Sequence, residues 1–198
     1  MMIRLSTAVL ACSLFADGES FVLKPTETAR LELTVEKTGL MSGKKHLFVF
    51  DRWSGTLQFI PGKPQEAVVS LTIQANSIRC LDTWVSAKDL RKIEETALKD
   101  MLAAERYPQI TFRSESISQT KDADYQMQGR LTIRDLAKPV TVSVTMEPGA
   151  AESLRFLGKA SIRLSDYGLK PPSAILGAIG TKNEMTLGFA LVATPMRD

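Results

Sequence analysis

The stretch YQMQGRLTIRDLAKPVTVSVTME, Tyr125 to Glu147, decides the fold. Tyr125, Met127, Gly129, Leu131 and Ile133 fall on one face of its first run, and Val140, Val142, Val144 and Met146 on one face of its second. Successive side chains of a strand point to opposite sides, so a period of two with one apolar face marks a half-buried strand. Two such runs in succession make an antiparallel hairpin.

The same period recurs outward from this hairpin. Leu31, Leu33 and Val35 alternate with charged and polar neighbours; Trp53, Gly55, Leu57 and Phe59 share a face. The turn PGKP precedes Val69, Leu71, Ile73 and Ala75, and Ile110 and Phe112 open a further strand. Leu154, Phe156, Gly158, Ala160, Ile162 and Leu164 form another set, and Met185, Leu187, Phe189, Leu191 and Ala193 close the chain. About eight strands joined by short turns predict a mainly all-β chain, an antiparallel eight-stranded barrel that removes its edges by closing.

One segment departs from the pattern. In SAKDLRKIEETALKDMLAAERYP, Leu90, Ile93, Ala97 and Met101 recur at helical spacing, with Leu98 and Leu102 beside them. Ser86 is suited to cap this helix, Asp89 favours its first turn, Glu95 can meet Lys99, and Pro108 bars its extension. The helix is therefore inserted before the Tyr-Pro strand and is expected across one barrel opening or flank.

A length of 198 residues with 44% hydrophobic content suits one domain with its own core. The 25 basic and 22 acidic side chains interleave, so no basic stripe points to nucleic acid. Residues 1–20 carry Arg4 and an apolar run from Leu5 to Ala16, the outline of a secretory signal, with VLAC resembling a lipoprotein cleavage site. Read as a signal, it places the protein in the periplasm or outside the cell; read as an uncleaved strand or a misplaced start, it leaves the protein in the cytoplasm. The barrel is expected over 21–194, with 195–198 as a tail. No other apolar run approaches the ~20 residues of a membrane span, so no transmembrane span is expected in the body of the chain.

Chemistry is sparse. His46 is the one histidine, and Cys12 and Cys80 have no Cys/His ligand spacing near them, so neither a disulfide framework nor a metal is expected. No serine sits in a Gly-x-Ser-x-Gly elbow. GLMSGKKH fails as a phosphate loop: its glycines are too close and Lys45 stands where Ser or Thr is needed. Glu94 and Glu95, flanked by Arg91, Lys92 and Lys99, read as a solvated surface. His46 has two readings, a loop or strand-edge residue bonded to backbone and a polar contact for a ligand head group. What remains is apolar surface. Large inward residues (Phe156, Phe189, Leu187, Met127) mix with small ones (Gly129, Gly158, Ala160, Ala193); small ones suit a cavity, although strand glycines also bend barrel corners.

Four motifs in order resemble the YceI-like family, the lipocalin-like, polyisoprenoid-binding proteins of bacteria. TGLMSGKKH with DRWSGTLQF is similar to its first hairpin, and VSAKDLRKIEETALKDMLAAERYPQITFRSESI to its helix and following strand, with Tyr107, Pro108, Ile110, Phe112 and Ser114 in the family pattern. GRLTIRDLAKPVTVSV resembles its Gly-x-Leu-Thr hairpin, with Asp135 where many relatives have glycine, and IRLSDYGLKPPSAILGAIGTKNEMTLGFALVA its last two strands. The resemblance implies a barrel whose pore holds the tail of an isoprenoid quinone or other amphiphilic lipid, with no catalytic residue and no cofactor. Pore-lining candidates are Leu33, Leu57, Leu71, Phe112, Met127, Leu131, Val142, Phe156, Ala160, Leu187 and Phe189; head-group candidates are His46, Arg163, Asp166, Tyr167 and Lys170. For Arg163 and Asp166 a structural ion pair is the competing reading. A homodimer is an open alternative, as are an enzyme acting on an apolar substrate in the barrel and a filled-barrel envelope or stress-response interaction protein.

Overall fold

The computed structural model describes residues 18–60, 62–150 and 152–196. The expected signal falls almost wholly outside them, and so does the end of the expected tail. Strands β1 (Glu19–Leu23), β2 (Arg30–Gly39), β3 (Lys45–Phe50), β4 (Trp53–Phe59), β5 (Val68–Gln74) and β6 (Ile78–Cys80) precede helix α1 (Ala87–Glu95). After it come β7 (Gln109–Lys121), β8 (Asp124–Ile133), β9 (Leu136–Pro148), β10 (Leu154–Arg163), β11 (Ser173–Ala174) and β12 (Ile179–Pro195). Among the described residues no helix is long and apolar enough to cross a membrane.

The strands form a closed, eight-stranded antiparallel barrel. Its ring runs β1, β4, β5, β7, β8, β9, β10, β12 and back to β1. The closing strand is short. Phe21 lies opposite Leu57 on β4 and Pro195 on β12, and Leu23 opposite Gly55 and Ala193. These two are the largest fully buried side chains.

Three wall elements are each broken at a bend into two strands. β12 pairs β1 near its C-terminal end and β2 along the rest, so β1 and β2 act as one wall element. β3 and β4 meet at Asp51 and Arg52, and β5 and β6 across Ala75–Ser77. Buried Ser77 ties the two bends together: its hydroxyl donates to the Gln74 carbonyl at 2.7 Å and accepts from the Arg52 N–H at 3.1 Å. The bends splay the lower half of the barrel, leaving the edge of β6 without a strand on its outer side. α1 covers that gap. Glu94, expected on a solvated face, is half-buried and its carboxylate accepts from the Cys80 N–H at 2.9 Å.

The helix is built as its sequence predicts. Asp89 N–H donates to the Ser86 hydroxyl at 3.1 Å, and Lys99 reaches Glu95 at 2.7 Å. Over Thr96–Met101 it widens into a π-type turn. Arg134 donates to the Asp100 and Met101 carbonyls at its end. In the β8–β9 turn the left-handed residue is Arg134, at φ 58°, and not its neighbour Asp135. The guanidinium's bonds to the helix end hold that conformation in place.

Elsewhere the burial follows the alternation: Met127, Gly129, Leu131 and Ile133 on β8 and Val140, Val142 and Val144 on β9 are buried, with exposed residues between most of them. Because closure rests on β1, Phe21→Ala is expected to lower stability by about 3–5 kcal/mol in urea unfolding. A loss of only about 0.5 kcal/mol, as at an ordinary surface position, would refute that role.

Candidate functional site

The inward faces enclose two chambers. The lower one, between the bent strands and α1, has a volume of about 620 Å³. The upper one has about 150 Å³. Phe50, Ile73, Leu131 and Leu187 line both, so these four side chains form the waist between them. Ligand pockets run from about 300 to 1,000 Å³, and the lower chamber is in that range by itself.

The pore candidates sit as follows. Leu57, Leu71, Phe112, Met127, Val142, Phe156, Ala160 and Phe189 face the upper chamber, Leu33 the lower one, and Leu131 and Leu187 both. The inward glycines do not widen the lumen. A Cβ on Gly158 would lie 2.3 Å from the Phe189 ring, and one on Gly129 2.5 Å from the Phe112 ring. Each glycine lets an aromatic ring of the next strand lie flat against the wall, which is why the upper chamber is narrow.

Polar groups gather at the lower chamber. His46 follows the inward series of β3 with Phe48 and Phe50, and its Nδ1 is hydrogen-bonded to the Asp82 carboxylate. The other oxygen of that carboxylate accepts from the Leu47 N–H at 3.0 Å. The imidazole stacks on Trp84 at 5.4 Å, and the indole N–H donates to the Lys45 carbonyl at 3.1 Å. His46 is thus a strand residue bonded to a carboxylate, not an edge residue bonded to backbone. With Nδ1 bonded to Asp82, Nε2 is the ring nitrogen left for another partner.

Lys37 and Tyr167 line the same chamber. Burial lowers the pKa of the Lys37 ammonium, which Asp82 partly opposes. Burial also raises that of the Tyr167 phenol to about 12. The remaining head-group candidates lie elsewhere. Arg163 and Asp166 pair with each other at 3.4 Å on the solvent face, and Lys170 is exposed and not part of the lumen wall.

Lys37 was legible, since it continues the inward series of Leu31, Leu33 and Val35. Asp82 was not: 36 residues separate it from His46, and no spacing announces the pair. Cys80 joins them, the ligand atoms of the three lying within 4.8 Å of one another. Both Asp82 oxygens are already engaged by protein donors. Burial raises the pKa of the Cys80 thiol to about 12, so it rests as a protonated thiol rather than a reactive thiolate.

A family model, the YceI-like domain, matches residues 21–193. A UPF0312 protein of Pseudomonas savastanoi pv. phaseolicola is 26% identical over 128 residues, covering 62% of this chain and 63% of the relative. A UPF0312 protein of Pseudomonas putida is 27% identical over 130 residues, covering 63% and 64%. The chain therefore matches less than two thirds of the length of these relatives. Among solved structures, Burkholderia cenocepacia BcnA superposes with a TM-score of 0.65 at 25% identity, over 83% of this chain and 96% of that one. A polyisoprenoid binding domain from Saccharophagus degradans, implicated in plant cell wall breakdown, superposes at 0.61 with 13% identity, over 88% and 98%, which shows the shared fold.

Cys80 and Tyr167 hold their protons more tightly folded than unfolded. Their contribution to stability is complete below the ordinary values of 9.0 and 10.0 and is lost as pH rises towards about 12. Stability measured against pH is expected to fall through this window, less steeply in Tyr167→Phe; an identical slope in that variant would contradict the burial of the phenol. Cys80 should also resist iodoacetamide at about pH 8 until the chain is unfolded, as peptide mass mapping would show.

Proposed function

The chain belongs to the YceI-like family, whose model matches residues 21–193, and on that premise we propose that it is a non-catalytic carrier of an amphiphilic, isoprenoid-tailed lipid. The observation that supports this is the pair of apolar chambers sharing one waist, with polar side chains concentrated at the lower one. A branched hydrocarbon tail occupies the lower chamber and extends past Phe50, Ile73, Leu131 and Leu187 towards the upper. Each methylene removed from water contributes about 0.8 kcal/mol, so a few isoprene units outweigh the ordering cost of a flexible chain. Tail recognition is then tolerant of length, and selectivity rests on the head.

The head-group end is assigned to His46, Lys37 and Tyr167. The Lys37 ammonium donates, the His46 imidazole offers the ring nitrogen not bonded to Asp82, and the Tyr167 hydroxyl, which itself donates to the Leu131 carbonyl at 3.4 Å, keeps its oxygen as an acceptor, a set that suits a hydroxyl or a protonated phosphate. That the solved domain from Saccharophagus degradans is named for polyisoprenoid binding agrees with this reading.

The His46–Asp82 pair is also an acid–base arrangement, with Cys80 beside it. An activated thiol needs its pKa lowered. Burial raises that of Cys80 to about 12, the direction opposite to activation, so carriage is favoured over chemistry.

The test is organic extraction of detergent-free protein followed by mass spectrometry against a mock purification. A stoichiometric isoprenoid lipid, recovered unchanged, is expected. An empty extract after quinones and polyprenols have been offered would refute carriage, and a chemically altered product would make the protein an enzyme. Leu33→Trp fills the lower chamber with apolar bulk and is expected to lower ligand affinity at least about tenfold, a change of about 1.4 kcal/mol. Thr186→Glu, on the exposed side of β12, should leave binding as it is; equal loss in both would disprove the assignment of faces.

A further inference from the structure

Two loops meet at the lower end of the barrel. One is the β2–β3 turn that begins at Gly39; the other, 175–178, leads from β11 into β12. They are locked together: Leu40 N–H donates to the Ala178 carbonyl at 3.0 Å, and a Cβ on Gly39 would lie 2.1 Å from that same oxygen. The tips carry large aliphatic side chains in water. Leu40 is 77% exposed, Ile175 66%, and Leu176 completely.

The backbone makes this placement costly. Ile175 and Leu176 both have φ 52°, in the left-handed region that L-residues avoid and a β-branched one avoids most. Asparagine or glycine would fit this turn better. A strained turn that presents two bulky apolar side chains outward points to a use for those side chains.

The rim is also charged. Lys44, Lys45 and Lys182 surround it, with Lys37 inside the mouth and Lys170 exposed on the preceding segment. Glu36 is shared between Lys45 at 2.8 Å and Lys182 at 2.5 Å, so one carboxylate meets two ammonium groups. Asp82, also near, is engaged by His46. Glu184 acts on Lys182 and Asp89 lines the chamber beside Lys92, yet the lysines at this end still outnumber the carboxylates. Ile175 and Lys37 line the lower chamber as well, so this rim is part of its wall.

We propose that the rim docks on the surface of an anionic phospholipid bilayer, with Leu40, Ile175 and Leu176 entering the interface and the lysines facing the head groups. Docking places the lower chamber against the membrane, where its occupant is taken up or released. This rests on the carrier reading for what passes through the rim, not for the binding itself. Three aliphatic side chains and a few lysines make a reversible attachment, as interfacial contacts of this size do.

The experiment is co-sedimentation of the full chain with phosphatidylglycerol-containing vesicles and with pure phosphatidylcholine vesicles, at low and high salt. The wild type should bind the anionic vesicles, weaken with salt and ignore phosphatidylcholine. The double variant Ile175→Asn, Leu176→Asn removes the apolar tips while suiting the left-handed turn, so its melting temperature should hold or rise and its vesicle affinity should fall at least tenfold. Unchanged affinity in that variant, or equal binding to both vesicles, overturns the proposal. So does a wild-type dimer that the double variant abolishes, which would make the rim a face between copies. Lipid extraction without vesicles separates the two readings: a loaded protein that ignores anionic vesicles overturns docking alone, and an empty one that binds them overturns carriage alone.

Discussion

The lumen exists because one five-residue strand is paired on both sides. An unpaired sheet edge exposes backbone donors and acceptors, and a barrel satisfies them only when its last gap is closed. β1 closes it, with Phe21 and Leu23 packed where the walls of β4 and β12 converge. Every inward face described above is inward only because that ring is complete.

Closure at the upper end leads to a different interior from closure at the lower. Above the waist the Phe112 and Phe189 rings lie over Gly129 and Gly158 and fill the space. Below it, the bends tied by Ser77 spread the wall until β6 needs a helix rather than a strand beside it. Glu94 and Arg134 show how tightly that helix is joined to the sheet, since each satisfies backbone groups that the splayed geometry would otherwise leave bare. The larger chamber is thus a consequence of bent strands, and its polar residues lie on the elements that the bends bring together.

That arrangement is what the carrier proposal rests on when it prefers carriage to chemistry. A buried thiol beside a histidine and a carboxylate has the composition of a reactive centre. Its surroundings stabilise the neutral thiol, both carboxylate oxygens are spoken for, and the adjoining walls are apolar. Such a wall gains from hydrocarbon and gives a reacting bond little to hold on to.

By itself the sequence determined eight of the twelve strands, their inward faces and the helix with its Ser86 cap, because alternation and capping depend on residues only a few positions apart; the short β1, β3, β6 and β11 carry too little alternation to be read, and the closing strand is one of them. Even Lys37 was readable, as the next inward position after Val35. Tertiary structure alone decided the rest. It paired His46 with Asp82 across 36 residues, turned Arg163 and Asp166 to solvent, set the left-handed turn at Arg134 and filled the space over two glycines with aromatic rings. Each of these depends on how far strands bend and which distant segments then touch, and a periodic pattern fixes the side a residue faces without fixing what stands opposite it.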